Sequence, residues 1–215
     1  MHPAICLITP SVHAGTEQED ALVDRVAIAA RAGVHLIQVR QAEHEARWLH
    51  RVVERSVQAV AGTAARILVN ERLDVALAAG AHGVHLRGGS MPAARVRAIV
   101  PPGFLIGRSV HLADECQRVA LEGGLDYMLF GTVFATSSKP GTAGVGTGVL
   151  AAACAGVAIP VLAVGGMGTQ SLGSVARAGA AGWAAIGLFA DCPRQTLPLV
   201  IAQAVSAFDS FWDVP

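Results

Sequence analysis

The feature that most constrains this chain is an eightfold alternation of short apolar runs with helix-like runs along its 215 residues. Several of the apolar runs are continuous rather than alternating, which is expected for strands that are covered on both faces of a parallel sheet. The predicted strands span residues 4–9, 34–40, 66–70, 83–86, 104–110, 126–133, 159–165 and 183–187.

The segments between these strands have helical spacing. Leu22, Val26 and Ala29, for example, recur at the i, i+4 and i+7 positions of one helix face. Alternating strands and helices indicate parallel βα units. An open doubly wound sheet uses the same units, but eight of them in 215 residues favour a closed α/β architecture, the (β/α)8 TIM barrel, with residues 1–215 as a single domain.

The composition argues against several classes of partner. Sixteen basic residues balance sixteen acidic ones, so no net field favours nucleic acid or an anionic membrane, and a small-molecule ligand is expected. The start of the chain lacks a signal peptide pattern and no long apolar span is found, so we expect a cytoplasmic protein. The four cysteines are too far apart for a metal-ligand pattern and are expected to be reduced packing residues. The sequence leaves open whether the chain forms a homo-oligomer.

Side chains at the carboxyl ends of barrel strands face the active site, so position alone makes several polar residues candidates. Arg40, at the end of the second predicted strand, can hold a carboxylate or phosphate through two parallel hydrogen bonds. The alternative for Arg40 is a structural ion pair with Glu43 or Glu71. Asn70 ends the third predicted strand, and Ser109 lies close to the end of the fifth.

His111 is the most informative single residue, because histidine is the side chain that titrates near neutral pH without help. It follows the fifth predicted strand directly. The sequence therefore favours His111 as a proton shuttle, with capping of the helix that begins near Ala113 as the structural alternative. His85, one strand earlier, is evenly balanced between a functional and a structural role.

Glycines at the last two strand ends indicate an anion site. Gly165 and Gly166 close the seventh predicted strand and Gly187 closes the eighth, and backbone N–H groups at these positions can approach a phosphate. An ordinary turn is the alternative. Residues 137–148, which are rich in Gly, Ser and Thr, are predicted to form a mobile loop over the active face.

Five segments together resemble one known superfamily, the thiamine phosphate synthases and TenI-type thiazole tautomerases, over about residues 5–189. These segments are IQVR (37–40), VNERLDVALAAGAHGVHL (69–86), IGRSVH (106–111), DYMLFGTVFATSSKPG (126–141) and IPVLAVGGM (159–167). The resemblance implies a (β/α)8 barrel that binds a thiazole phosphate.

The chain departs from the synthase branch at three positions. Synthases have a pyrophosphate-binding lysine where this chain has Ala42, and two Mg²⁺-binding aspartates where it has Glu71 and Ser90. Mg²⁺ prefers oxygen ligands in near-octahedral geometry, which one longer carboxylate and a hydroxyl supply poorly. No metal or organic cofactor is therefore expected, and Mg²⁺ is expected only if the chain is a synthase.

The resemblance is nearer to the tautomerase branch, in which the histidine matching His111 is the proposed acid and base. It implies aromatisation of a carboxythiazole ylidene phosphate. From their positions at the strand ends, Gly165, Gly166 and Gly187 are expected to hold the phosphate. The further expected substrate contacts are Arg40, Asn70, Ser109, Thr136, Ser138 and Lys139. Two alternatives stay open: a thiamine phosphate synthase that joins hydroxymethylpyrimidine pyrophosphate to thiazole phosphate, and a regulatory protein that binds thiazole phosphate without catalysis.

Overall fold

The fold is a closed barrel of eight parallel strands, seen in a computed structural model that describes residues 4–13, 15–41, 44–136, 141 and 143–211. Each strand pairs with the next in chain order, and the last pairs with the first. The (β/α)8 TIM barrel predicted from the alternation is confirmed. The strands are Ala4–Ile8 (β1), Leu36–Val39 (β2), Arg66–Asn70 (β3), Gly83–Leu86 (β4), Leu105–Val110 (β5), Tyr127–Phe130 (β6), Val161–Val164 (β7) and Gly182–Ala185 (β8).

The helices of the described residues lie outside the barrel and alternate with the strands. They are Thr16–Arg31 (α1), Ala46–Ala59 (α2), Leu73–Ala78 (α3), Ala93–Arg97 (α4), Ala113–Glu122 (α5), Gly146–Ala155 (α6), Thr169–Arg177 (α7), Gly187–Ala190 (α8) and Leu197–Asp209 (α9). No helix in this part of the chain is long and apolar enough to cross a membrane. All four cysteines are free thiols, as expected.

Two kinds of predicted boundary were wrong. Several strands are shorter than predicted. The regular pairing of β6 ends at Phe130 rather than at 133, although the N–H groups of Gly131 and Val133 still donate to the carbonyl oxygens of Val110 and Val164. β7 begins after Pro160, which has no N–H to donate. The predicted loop 137–148 is also too long. Residues 137–140 and 142 lie outside the described residues, but α6 already begins at Gly146, because burial of Leu150 and Ala153 outweighs the low helix propensity of glycine.

The core has two layers that follow from the period-two alternation of strand residues. Outward-facing side chains such as Ile37 and Ile67 are completely buried against the helices, while Leu68, Leu129 and Leu162 fill the barrel interior.

Tyr127 fills the interior beside β5, where there is no side chain at Gly107 to obstruct it. A Cβ atom at position 107 would lie only 2.0 Å from Cζ of the Tyr127 ring. The lower barrel is filled in this way, and a cavity lies toward the carboxyl ends of the strands.

Candidate active site

The same alternation brings three pairs of polar residues to the inner face at the carboxyl ends of the strands. Side chains two residues apart on a strand point to the same side, so each strand contributes one residue below and one above. Together they line a cavity of about 250 Å³ in the barrel mouth. Its polar lining includes Gln38, His85 and Ser109 from β2, β4 and β5, and the residue two positions after each of them, just beyond the strand: Arg40, Arg87 and His111.

His111 is held in one tautomer by its surroundings. Its Nδ1 makes a short hydrogen bond with the carbonyl oxygen of Gly131, which can only accept, so the ring donates from Nδ1. The neutral ring then carries its lone pair on Nε2. The backbone N–H of His111 donates to Oε2 of Glu115 over 2.7 Å, which fixes the start of α5 next to the histidine. The result is an exposed, oriented base at the cavity rim.

His85, in contrast, is a buried structural residue. It is 1% exposed, and burial lowers its pKa from 6.5 to about 3, so its ring is neutral at physiological pH. Its Nδ1 lies 2.9 Å from the hydroxyl of Tyr127 and its Nε2 lies 2.9 Å from Oγ of Ser109. Of the two roles that the sequence left open, the geometry supports the structural one: His85 orients Ser109 toward the cavity.

A polar group on the other side of the cavity joins β2 to β3. Nε2 of Gln38 donates to Oδ1 of Asn70 over 2.9 Å, which turns the amide NH2 of Asn70 away from this contact. Oε1 of Gln38 is buried and has no hydrogen-bond partner among the described residues. Since buried polar atoms are normally paired, this oxygen is a ready acceptor for a ligand donor. Arg40 follows at the exposed rim.

Glu71, where synthases have an aspartate, is engaged by neutral donors rather than by Arg40. Its Oε1 accepts hydrogen bonds from the hydroxyl of Ser90 and, over 2.7 Å, from the backbone N–H of Arg87. The residue has a φ of 64°, an uncommon conformation for a side chain other than glycine, asparagine or aspartate. The ion pair between Arg40 and Glu71 is not present, and Glu43 and Ala42 lie outside the described residues.

The donor set at this position does not fit the Mg²⁺ that the synthase resemblance implies. Mg²⁺ needs several oxygen ligands in near-octahedral geometry, most often carboxylates with water. Here the single carboxylate of Glu71 already accepts from Ser90 and Arg87. In the described part of the chain no group of three His, Cys, Asp or Glu side chains could hold a metal ion.

The three glycines predicted to bind phosphate line a second cavity of about 480 Å³ between the ends of β7 and β8. Gly165 and Gly166 have positive φ values of 101° and 64°. Gly165 and Thr136 also line the first cavity, so the two cavities are adjacent and share part of their walls. Asp191 adds a carboxylate to the second cavity, a residue that opposes an anion and that the sequence did not indicate.

The structure brings most of the predicted site residues together, and it adds others. Arg40, Asn70, Ser109, Thr136 and His111 all line the first cavity. Ser138 and Lys139 lie outside the described residues. Gln38 and Arg87 also line the first cavity. Both stand at strand ends in the sequence, but neither was among the expected substrate contacts.

The chain is similar to thiamine phosphate enzymes along most of its length. The model of the thiamine monophosphate synthase family matches residues 5–189. The thiamine-phosphate synthase of Roseiflexus sp. (strain RS-1) is 36% identical over 87% of this chain and 81% of its own. That of Methanoculleus marisnigri is 40% identical over 76% and 77%. Among solved structures, thiamine phosphate pyrophosphorylase from Pyrococcus furiosus aligns with a TM-score of 0.82 and 25% identity, covering 97% of this chain and 96% of that one. These names support the synthase alternative better than the tautomerase expectation.

Proposed function

The chain belongs to the thiamine monophosphate synthase family and is a thiamine-biosynthesis enzyme, and on this premise we propose that it aromatises a carboxythiazole ylidene phosphate by proton transfer through His111. The observation that carries the proposal is the oriented imidazole at the cavity rim, with Nδ1 donating to Gly131 and Nε2 left as the base.

The proposed reaction moves one proton within the substrate. Nε2 of His111 removes the proton from the ring carbon, and the electron pair of that C–H bond enters the ring and makes it aromatic. The exocyclic double bond takes the proton back from Nε2 at its far carbon, so the histidine ends as it began. General acid and base catalysis of this kind contributes about 10² to 10⁴-fold. The hydrogen bond from Nδ1 to the carbonyl oxygen of Gly131 keeps the ring oriented while Nε2 carries the proton.

Two adjacent cavities with shared walls suit a substrate with an anion at each end. In this proposal the backbone at Gly165, Gly166 and Gly187 holds the phosphate in the second cavity, and Arg40 holds the carboxylate in the first. Asn70, Ser109 and Thr136 contact the ring between them, and Ser138 and Lys139 are proposed as further substrate contacts.

The second candidate is thiamine phosphate synthase, the activity named for the relatives. The residues that replace the metal ligands argue against this activity, because the carboxylate of Glu71 accepts hydrogen bonds from the hydroxyl of Ser90 and the backbone N–H of Arg87. The similarity to named synthases therefore favours the synthase reaction, whereas the side chains at the metal position favour the tautomerase reaction. An assay must separate the two.

The experiment supplies the purified protein with each substrate set in turn. One reaction contains the carboxythiazole ylidene phosphate with EDTA. The other contains aromatic thiazole phosphate, hydroxymethylpyrimidine pyrophosphate and Mg²⁺. The proposal expects aromatisation in the first reaction and no thiamine phosphate in the second. EDTA-sensitive formation of thiamine phosphate without aromatisation would establish the synthase instead, and binding with neither turnover would identify the non-catalytic alternative.

A further inference from the structure

Arg87 lines the candidate active site, although it was not among the expected substrate contacts. It follows His85 by two residues and so lies on the inner face of the barrel, where it lines the cavity shared by Arg40 and His111. Its contact with Glu71 is made by the backbone N–H and not by the guanidinium. The side chain is therefore available to a ligand in the cavity.

The loop that carries Arg87 is fixed from behind by a second arginine. Arg108 is 3% exposed, faces away from the barrel interior, and donates to the carbonyl oxygens of Arg87, Ser90 and Met91 over 3.2, 2.6 and 3.0 Å. Its remaining charge partner is Glu122 at 3.6 Å. Burying a guanidinium is costly unless its donors are satisfied, so this arrangement is a built anchor for the 87–91 loop.

Glu71 holds the 87–91 loop on the side opposite Arg108. Its negative charge is not paired with either of the two arginines that line the cavity. The carboxylate of Glu71 is engaged by the neutral donors of Ser90 and the Arg87 backbone. No ion pair within the described part of the chain joins the guanidinium of Arg40 or Arg87 to a carboxylate. Two arginines thus line one cavity of about 250 Å³, and neither has a carboxylate partner among the described residues.

We propose that Arg87 and Arg40 form a metal-free anion subsite that selects ligands carrying a carboxylate. The inference rests on the proposed function, since it takes the ligand to have a phosphate in the glycine-lined cavity and a carboxylate in this one. A planar guanidinium fork matches the two oxygens of a carboxylate, and two forks supply the positive charge that a divalent cation supplies elsewhere. Arg108 and Glu71 are the positioning residues that aim Arg87.

The test is calorimetric titration with the aromatic carboxythiazole ethyl phosphate and with the same compound lacking the carboxylate, each in EDTA and in MgCl2. The variants are Arg87→Ala and Arg87→Lys. Arg95→Ala is the matched control, because Arg95 is an exposed arginine on α4 just beyond the same loop. The backbone contact of residue 87 with Glu71 persists in the Arg87 variants, so they are expected to fold.

We expect Arg87→Ala to bind the carboxylated ligand at least about tenfold more weakly, the loss expected for one charge-assisted pair, and the decarboxylated ligand within about twofold of the parent. Arg87→Lys should be intermediate, Arg95→Ala unchanged, and Mg²⁺ without effect. Equal losses for both ligands, no loss, or binding that Mg²⁺ tightens would overturn the subsite. Titration needs no turnover. If the parent protein did not aromatise its substrate, the proposed reaction would be overturned, but the titration would still show whether Arg87 selects the carboxylate.

Discussion

Gly166 offers the sharpest test of the predicted phosphate site, because both its conformation and its surroundings exclude a side chain. Its φ is 64°, and a Cβ atom there would lie 2.5 Å from the carbonyl oxygen of Ala135, whereas ordinary contacts begin at 3.4 Å. In Gly166→Ala the strand end must therefore move by about 1 Å, and the left-handed conformation itself costs an alanine about 1 to 2 kcal/mol. Backbone N–H groups aimed at a phosphate would be displaced.

Losing one or two such charge-assisted hydrogen bonds is expected to weaken phosphate binding by about 1.5 to 3 kcal/mol, or roughly 10 to 100-fold. The assay is titration with thiazole phosphate and with its dephosphorylated alcohol, whose affinity should change little. Gly168→Ala is the control, because Gly168 lines the same cavity but has a φ of −142° and meets only the flexible side chain of Gln170. If Gly166→Ala binds thiazole phosphate like the parent, or loses equally on both ligands, the phosphate is bound elsewhere.

Three further predictions concern charge and stability. Arg108→Met should lower the free energy of unfolding by about 2 to 4 kcal/mol in urea denaturation, since it removes the donors of three loop carbonyls; an unchanged midpoint would contradict the anchoring role. Burial lowers the pKa of His85 from 6.5 to about 3, so the unfolded chain binds a proton that the folded chain excludes between these values. Stability should fall by up to about 1.4 kcal/mol for each pH unit below 6.5, and His85→Gln should flatten this slope when unfolding is followed across pH. Asp191→Asn should tighten phosphate binding severalfold by removing a like charge from the second cavity, and weaker binding would argue against that site.

The barrel could be predicted from the sequence because its signal is repeated along the chain. Each βα unit carries a largely apolar strand and a helical segment, and eight units close in parallel. The strand ends were less accurate: Val133 is buried and its N–H donates to the carbonyl oxygen of Val164, yet the regular strand has already ended at Phe130. The apolar pattern reports burial and does not report where regular strand pairing stops.

The site was predictable as far as strand position determines it. His111, Arg40 and Asn70 follow from their place at strand ends, and all three line the cavity. The hydrogen bond from Ser90 to Glu71 joins two loops, so it depends on their relative backbone positions. Local sequence patterns do not predict these positions.

Contacts between side chains of different strands could not be predicted from the sequence either. The hydrogen-bond partners of His85, Tyr127 and Ser109, come from other strands. The complete burial that lowers its pKa likewise depends on the closed barrel. Arg87 could have been found by extending the alternation two residues beyond His85.

The measurement that tests the central claim most directly is the turnover of the carboxythiazole ylidene phosphate by His111→Asn. Asparagine keeps a polar side chain at the cavity rim but cannot take up the proton. We predict that kcat falls by about 10² or more while the affinity for the aromatic product stays within about twofold, because only proton transfer is removed. Near-normal kcat in this variant would contradict the assignment of His111 as the group that moves the proton.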